Sequence, residues 1–404
     1  MAITIRGIDA NEVDRFRTEL IRTFGFDSDP DERGAERFCE LVQLPRTYAA
    51  FDGDEMVGTA ASFDFELTVP GGTVPMAGLT MVSVRTSHRR RGILRQIIAA
   101  HLADVHERGE PLSGLWASEA SIYQRFGYGV AAEGELLRCD TNAVRVDPPA
   151  VSDRVELVSG GLREHGVPAL YDRARATRPG MYSRTRAWWE HRHEYDPAHR
   201  RGGASARRLV LAWRGDQPTG WMVYRQRAKW DDGLPEGAVE IVELVAIDAI
   251  AEHSLWHYAT SIDLFPHLTW WNAPVDSLLP WLTPHRRHLA RRRMDTLWLR
   301  LTDVPVALAR RAYAAEDRLV IAIRDADRTE NYALETSGGN ASCTRTDAAP
   351  ELHLDRAALG SIYLGGVRAA LLARAGRITG SAEAIARADR LFAWPIAPWC
   401  PEIF

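Results

Sequence analysis

Three consecutive arginines, Arg89, Arg90 and Arg91, stand directly before Gly92, and an apolar pattern of helical spacing, Ile93, Ile97, Ile98 and Leu102, begins immediately after it. A helix N-terminus offers unpaired backbone N–H groups and the positive end of the helix dipole, and a glycine lets an anion approach the backbone closely. With guanidinium groups alongside, the stretch is suited to holding phosphate by charge-assisted hydrogen bonds. It is neither a P-loop, which needs GxxxxGK followed by Ser or Thr, nor a GxGxxG dinucleotide fingerprint. A solvated helix end and a grip on nucleic acid are the competing readings of the triplet.

Two further stretches carry groups that chemistry can use. "WASEASIYQRFGYG" (116–129) holds Ser118, Glu119 and three aromatics, Tyr123, Phe126 and Tyr128, which on residue type alone read as core packing, with Ser118 capping a helix. The chain closes on "LFAWPIAPWCPEIF" (391–404), whose three prolines forbid a regular helix and whose apolar content predicts packing onto the protein.

Arg89-Arg90-Arg91-Gly92-Ile93-Leu94 resembles the acetyl-coenzyme A loop of the GNAT acetyltransferases, departing only where Leu94 replaces a small residue. With "TMVSVRTSHRRRGILR" (80–95), the "SE…IYQRFGYG" stretch, "LGSIYLGGVRAA" (359–370) and the terminal "EIF", the chain resembles the enhanced intracellular survival (Eis) branch of that superfamily over essentially its full length. The resemblance implies a tandem of GNAT-like domains followed by a domain like a sterol carrier protein, all of mixed α+β class. It also implies acetyl-coenzyme A as co-substrate, no metal, acetylation of amines (aminoglycosides, polyamines or lysine side chains) and a homo-hexamer.

Roles follow from the resemblance residue by residue. The backbone of Val82, Ser83 and Val84, with Met81 before it, would hold the pantetheine arm and thioester. Arg90, Arg91, Gly92, Ile93, Leu94 and Arg95 would surround the pyrophosphate, with Ser118 and Glu119 beside the cofactor on the next strand. Tyr123 matches the family's general acid: a phenol of pKa about 10 can protonate a departing thiolate whose thiol is near 8.5. The terminal carboxylate of Phe404 matches the general base. A free α-carboxylate is a weak base, and apolar surroundings, with Trp394, Ile396, Trp399 and Ile403 as candidates, would raise its pKa. The substrate pocket matches less closely. Phe24 aligns with a pocket aromatic, but the expected acid two places on is Phe26, with Asp27 displaced by one, and Glu402 is likewise shifted by one. Met81 completes the expected substrate-side set.

The elements that must position these groups read as a mixed α/β arrangement. Val13, Phe16, Leu20 and Phe24 predict a helix over 11–24; turn pairs at Asp52-Gly53 and Gly71-Gly72 predict antiparallel strands ending near Val84; a helix runs from Gly92 to about Glu107, and "PLSGLWAS" (111–118) is a short buried strand. "RVDPPAVSDR" (145–154) reads as a linker. Beyond it we expect a helix at 162–178, strands at 208–214, 219–229 and 238–247, and a helix at 252–262. The expected domains are 1–146, 147–294 and 295–404.

Composition narrows the functional classes. At 404 residues with 46% hydrophobic and 26% charged side chains the chain is globular, and 50 basic against 54 acidic residues give a formal charge of -4, which removes the general attraction that nucleic-acid binders use. Cys39, Cys139, Cys343 and Cys400 show no metal or disulfide spacing, which with no membrane span or leader predicts a cytoplasmic protein. "WWEHRHEYD" (188–196) is not HExxH and reads as exposed polar residues on a helix, and "HRRHLARRR" (285–293) reads as a solvated helix face. Beside the transferase, a catalytically idle coenzyme A- or lipid-binding regulator stays open as the second reading.

Overall fold

The computed structural model describes residues 3–25 and 33–404. The chain forms two contact units: residues 1–132, 297–395 and 403–404 make the first, and 133–296 with 396–402 make the second.

In the first unit a seven-stranded sheet contains β1 (Ile3–Arg6), β2 (Ala49–Asp52), β3 (Glu55–Val69), β4 (Gly72–Val84), β5 (Leu112–Trp116), β6 (Gly129–Val130) and β16 (Leu297–Leu301), ordered β1-β2-β3-β4-β5-β16-β6. The hairpins β2–β3 and β3–β4 close at the glycines anticipated from sequence, Gly53 and Gly71, whose φ of +61° and +75° suits a residue without a Cβ. β4 and β5 run parallel but pair only from Met76–Gly78 to Leu112–Gly114 and then part. The crossover between them is the helix Ile93–Glu107, which buries Ile93, Ile97, Ile98 and Val105.

One position on that helix is polar and sealed. His101 has no exposed surface; its Nε2 lies 2.8 Å from Ser113 Oγ, which lies 2.7 Å from Tyr128 Oη. Burial lowers His101 to about 3, so the ring is neutral and the trio is a hydrogen-bonded, uncharged core element.

The same unit holds a second sheet of β17 (Asp317–Asp325), β18 (Arg328–Ser337), β19 (Asn340–Arg345), β20 (Leu352–Asp355) and β21 (Ile378–Gly380), in the order β19-β18-β17-β20-β21. The helix Arg356–Ile362 joins the two sheets of this unit by packing on β16 and β6. Gly129 and Gly360 permit it: a Cβ on either would overlap the carbonyl oxygens of Ala357 and Leu299 respectively.

The second unit repeats the plan of the first. Its sheet takes β7 (Glu133–Asp140), β8 (Arg154–Val158), β9 (Arg208–Arg214), β10 (Gln217–Arg227), β13 (Ala238–Ala246), β14 (His267–Pro274) and β15 (Ala290–Asp295), ordered β15-β7-β14-β13-β10-β9-β8; a small hairpin, β11 (Trp230–Asp231) with β12 (Leu234–Pro235), stands apart. β13 and β14 are again a parallel pair joined by a helix, Ala249–Thr260, and again pair briefly, Ala238–Ile241 with His267–Trp270.

Several expectations are revised. The basic run 285–293 forms a short 3₁₀ turn, Arg286–His288, and then enters edge strand β15, where half-buried Arg291 pairs with Glu135 and the neighbouring Arg292 and Arg293 are exposed along the sheet edge, not on a helical face. The segment 145–154 is not a free linker, since Val144 and Val146 are buried in the second unit's core and Val146 N donates to Thr260 Oγ1 at 3.1 Å. The helix expected at 162–178 is shorter, Val167–Arg175. Among the described residues no helix is long and apolar enough to cross a membrane.

Candidate active site

The site begins where β4 leaves its ladder. Thr59 pairs with Ser83 and Ala61 with Thr80, so Met81 and Val82 have no register partner on β3, and Met81 adopts a left-handed φ of +56°. A left-handed non-glycine residue is costly and persists only where neighbours fix it. Here Thr59 Oγ1 donates to Met81 O at 2.8 Å and lies 2.7 Å from Ser83 Oγ, locking the bulge from beneath. The bulge falls three residues after Gly78, the last β4 residue paired with β5, in the stretch where β4 has already parted from that strand.

β4 then runs into the arginine loop. Arg90 and Gly92 are both left-handed, at +65° and +78°, and the helix that starts at Ile93 has no side-chain cap. Nothing lies within 4 Å of where a Gly92 Cβ would be. Left-handed residues on either side of Arg91 and an uncapped helix start are a backbone arrangement suited to an anion, and Arg89, Arg90 and Arg91 are all exposed. The diphosphate of a nucleotide-bearing co-substrate fits this donor set. Arg91 is held in place by Asp52, Nη2 to Oδ2 at 3.1 Å, and His88 Nε2 stands 3.4 Å from the same oxygen. Although its partial burial opposes this, Arg91 lowers Asp52 from its ordinary carboxylate value.

Tyr123 ends the short helix Ala120–Tyr123, whose N-cap is Glu119; Ser118 and Glu119 are exposed. The Tyr123 ring is buried edge-on against Tyr128, centroids 6.2 Å apart, in one cluster with Leu79, Val82, Val84 and Leu94. The structure therefore gathers the phenol, the bulged strand and the start of the Ile93–Glu107 helix in one cluster. Burial first, and the Glu119 carboxylate second, raise Tyr123 to about 12, so the phenol keeps its proton.

The last residue reaches this unit as well. Phe404 is buried, its ring 5.2 Å from that of Phe65 on β3 at an interplanar angle of 72°. A Cβ on Gly78 would stand 2.5 Å from Phe65 Cε2 and 3.2 Å from Phe404 Cε2, so the absence of a side chain at Gly78 makes the seat for both rings. Neither Phe65 nor Gly78 stood out in the sequence, although a glycine inside a strand is a recognised sign of close approach. The apolar surroundings of Phe404 differ from those expected: Phe65 supplies them, whereas Ile403 is exposed and Trp399 packs on Trp270 in the second unit.

Met81 sits in the bulge, and Phe24 is an exposed last residue of its helix, capped by left-handed Gly25. Asp27 lies outside the described residues. Glu402 belongs to the second unit, where Arg184, His193 and Trp188 surround it. The 188–196 stretch also differs from an exposed helical face: it forms a π-helical turn, Trp189–Glu194, in which His193 is nearly enclosed and bonded to Glu402, while Glu190 and Glu194 pair with Arg163.

Comparison with known proteins gives a consistent account of the chain. Residues 4–131 and 180–301 each match an acetyltransferase (GNAT) domain family, and 304–401 match a sterol carrier protein domain. An uncharacterized N-acetyltransferase of Streptomyces avermitilis is 37% identical over 417 residues, covering all of both chains. The N-acetyltransferase Eis of Mycobacterium tuberculosis is 36% identical over 351 residues, 84% of each chain. The crystal structure of Eis1 from Mycobacterium abscessus superposes with a TM-score of 0.87 over 99% of this chain and 100% of that one, at 31% identity. A GCN5-related N-acetyltransferase from Anabaena variabilis shares the fold at 21% identity, with a TM-score of 0.86 over all of both chains.

Proposed function

We propose, for a chain that belongs to the Eis branch of the GNAT N-acetyltransferases, that it carries an acetyl group from acetyl-coenzyme A to a primary amine by direct attack in a ternary complex. It is an acetyltransferase, and acetyl-coenzyme A is the co-substrate of its family. The finer reading rests on one observation: the chain's own terminal residue is seated over Gly78, where β4 and β5 part, three residues from the Met81 bulge.

In this reading the loop from Arg89 to Arg91, with the N–H groups of Gly92, Ile93 and Leu94, binds the diphosphate of the co-substrate, and Arg95, Ser118 and Glu119 border it. Backbone N–H groups of Val82 to Val84 polarise the thioester carbonyl. The amine nitrogen attacks the carbonyl carbon; a C–N bond forms, the C–S bond breaks, and the amine proton passes to the Phe404 carboxylate directly or through water. Tyr123 gives its phenolic proton to the leaving thiolate; burial keeps the phenol protonated across the physiological range while making it a weaker acid than a free phenol. Met81 and Phe24 border the acceptor, whose class is a polyamine, an aminoglycoside or a lysine side chain. We read the chain as three functional domains, at work in the cytoplasm as a homo-hexamer, which sedimentation tests directly.

The deciding experiment supplies acetyl-coenzyme A with a panel of polyamines, aminoglycosides and lysine peptides and follows thiol release. Turnover above hydrolysis with at least one amine class supports the reading; tight co-substrate binding without any turnover overturns it.

A further inference from the structure

The second unit has the parting parallel strands of a GNAT fold but not the means to hold a diphosphate. Its strand β13 runs through Ile247 straight into the helix Ala249–Thr260, whose N-terminus is capped by a side chain: Asp248 Oδ1 accepts from Ala251 N at 3.0 Å. Where the first unit leaves an uncapped helix start ringed by arginines, the second places a carboxylate. Asp248 is itself paired with Arg214, Oδ2 to Nη1 at 2.9 Å, so the first-turn N–H group and the nearby guanidinium are both already taken by one carboxylate and the position is closed to a further anion by occupancy.

Residues 396–402 of the same chain belong to this unit and pack on β14 just past Trp270, its last residue paired with β13. Asn272, at a break in the β14–β7 register, turns its amide to the tail, and its Nδ2 donates to Cys400 O at 2.9 Å and to Pro401 O at 3.0 Å. Trp399 Nε1 returns a bond to Asn272 O at 3.1 Å, and its ring packs on Trp270. On the other side Trp399 N donates to Pro179 O at 2.9 Å, and left-handed Gly180 lets the backbones touch, since a Cβ there would stand 2.9 Å from both Trp399 N and Trp399 O. Beside the segment is a cavity of about 260 Å³ walled by Trp270, Ile396 and Trp399.

The end of this segment is anchored by charge. Glu402 Oε1 lies 2.7 Å from Arg184 Nη2, 2.9 Å from His193 Nε2 and 3.0 Å from Trp188 Nε1. Arg184 has no exposed side-chain surface, lies over the Tyr171 ring at 4.0 Å and also holds Glu243 at 2.6 Å. Opposing the burial that would raise it, Arg184 and His193 hold the Glu402 carboxyl well below the usual range. A guanidinium sealed between two carboxylates and aromatic faces is a built receptor for an acidic side chain, because removing either carboxylate leaves buried charge uncompensated.

We infer that the second GNAT-like unit is a peptide-binding module whose ligand is the chain's own proline- and tryptophan-rich C-terminal segment, received on β14 just past its pairing with β13. The backbone is read by Asn272 and Pro179, the close approach is admitted by Gly180, and the Arg184 pocket takes the Glu402 side chain. Its consequence for catalysis rests on the reading of the Phe404 carboxylate as base: an anchor two residues before the terminus limits where that carboxylate can go.

Hydrogen exchange of the intact protein tests it, read at the Ala397 amide, which donates to Asp276 Oδ2 at 3.1 Å, and at the Trp399 amide, which donates to Pro179 O, with the helix Ala249–Thr260 as an internal control for folding. In the unaltered chain both amides should exchange at least about 100-fold more slowly than an unstructured peptide. Glu402→Gln, which keeps the side chain's shape, and Gly180→Ala should each cost at least tenfold of that protection while the helix keeps its own. Tail amides that exchange at the unstructured rate in the unaltered protein, or that keep full protection in Glu402→Gln, overturn the inference. Thiol-release turnover is measured on the same variants. A freed tail with unchanged turnover supports the module and overturns the terminal-carboxylate mechanism instead, so the two failures are distinct.

Discussion

Phe404 lies edge-on against Phe65, ring centroids 5.2 Å apart, and both rings use the space that Gly78 leaves on β4. The relationship couples the end of the chain to a strand residue more than 300 positions earlier, at the place where the two parallel strands of the first unit separate.

Gly78→Ala tests that seat. The new methyl must displace Phe65, 2.5 Å away, and press on Phe404, 3.2 Å away. Overpacking of this kind costs about 1–3 kcal/mol, and a displaced terminus should lower kcat about tenfold or more. The KM for acetyl-coenzyme A should stay within about twofold, because the arginine loop is untouched. Steady-state kinetics with an accepted amine reads both.

Tyr123→Phe keeps the ring's packing against Tyr128 and removes only the proton. We expect kcat to fall about 10²–10⁴-fold, the usual contribution of a placed general acid, with co-substrate affinity nearly unchanged. With Tyr123 raised to about 12, its acid form persists throughout pH 6–10, so any loss of rate above pH 8 in the unaltered enzyme should not follow the phenol's titration. A basic limb near pH 9 that vanishes in Tyr123→Phe would contradict this assignment.

Arg90→Gln and Arg91→Gln should each weaken acetyl-coenzyme A binding. A lost charge-assisted hydrogen bond is worth about 1.5–3 kcal/mol, or about 10- to 100-fold in Kd. The deficit should narrow as salt is raised, since exposed charges are screened over about 8–10 Å at ordinary ionic strength. Calorimetric titration at two salt concentrations measures both effects, and kcat at saturating co-substrate should be little changed.

His101 gives a prediction for stability. Its folded-state value of about 3 lies below an unfolded value near 6.5, so as pH falls below 6.5 the unfolded chain takes up the proton first. The stability from burying the neutral ring is present above pH 6.5 and is lost toward pH 3, at up to about 1.4 kcal/mol per pH unit. His101→Gln, which retains an amide to meet Ser113, should be less stable at pH 7.5 but should lose less between pH 7.5 and pH 5. Thermal unfolding of both proteins at the two pH values tests it.

Local signals in the chain determined a good deal. Gly53, Gly71 and Gly92 mark turns because their left-handed backbone is a local requirement, and the spacing of Ile93, Ile97 and Ile98 sets a helix face for the same reason. The arginine triplet, Tyr123 and the terminal phenylalanine could be singled out because each lies in a short contiguous stretch that resembles a family motif.

What depends on distant partners was decided only by the tertiary structure. The basic run at 285–293 became a strand because β7 offered it an edge, and residues 297–301 joined the first sheet between β5 and β6. Glu402 looks on paper like an acid free to meet a cationic substrate, but Arg184, more than 200 residues away in sequence, takes its charge. Gly78 is one of 31 glycines until Phe65 and Phe404 are laid beside it. Conformation over a few residues is set by local sterics and capping, which the sequence carries openly; the partner of a buried charge or the neighbour of a bare Cα is set by which remote segments pack together.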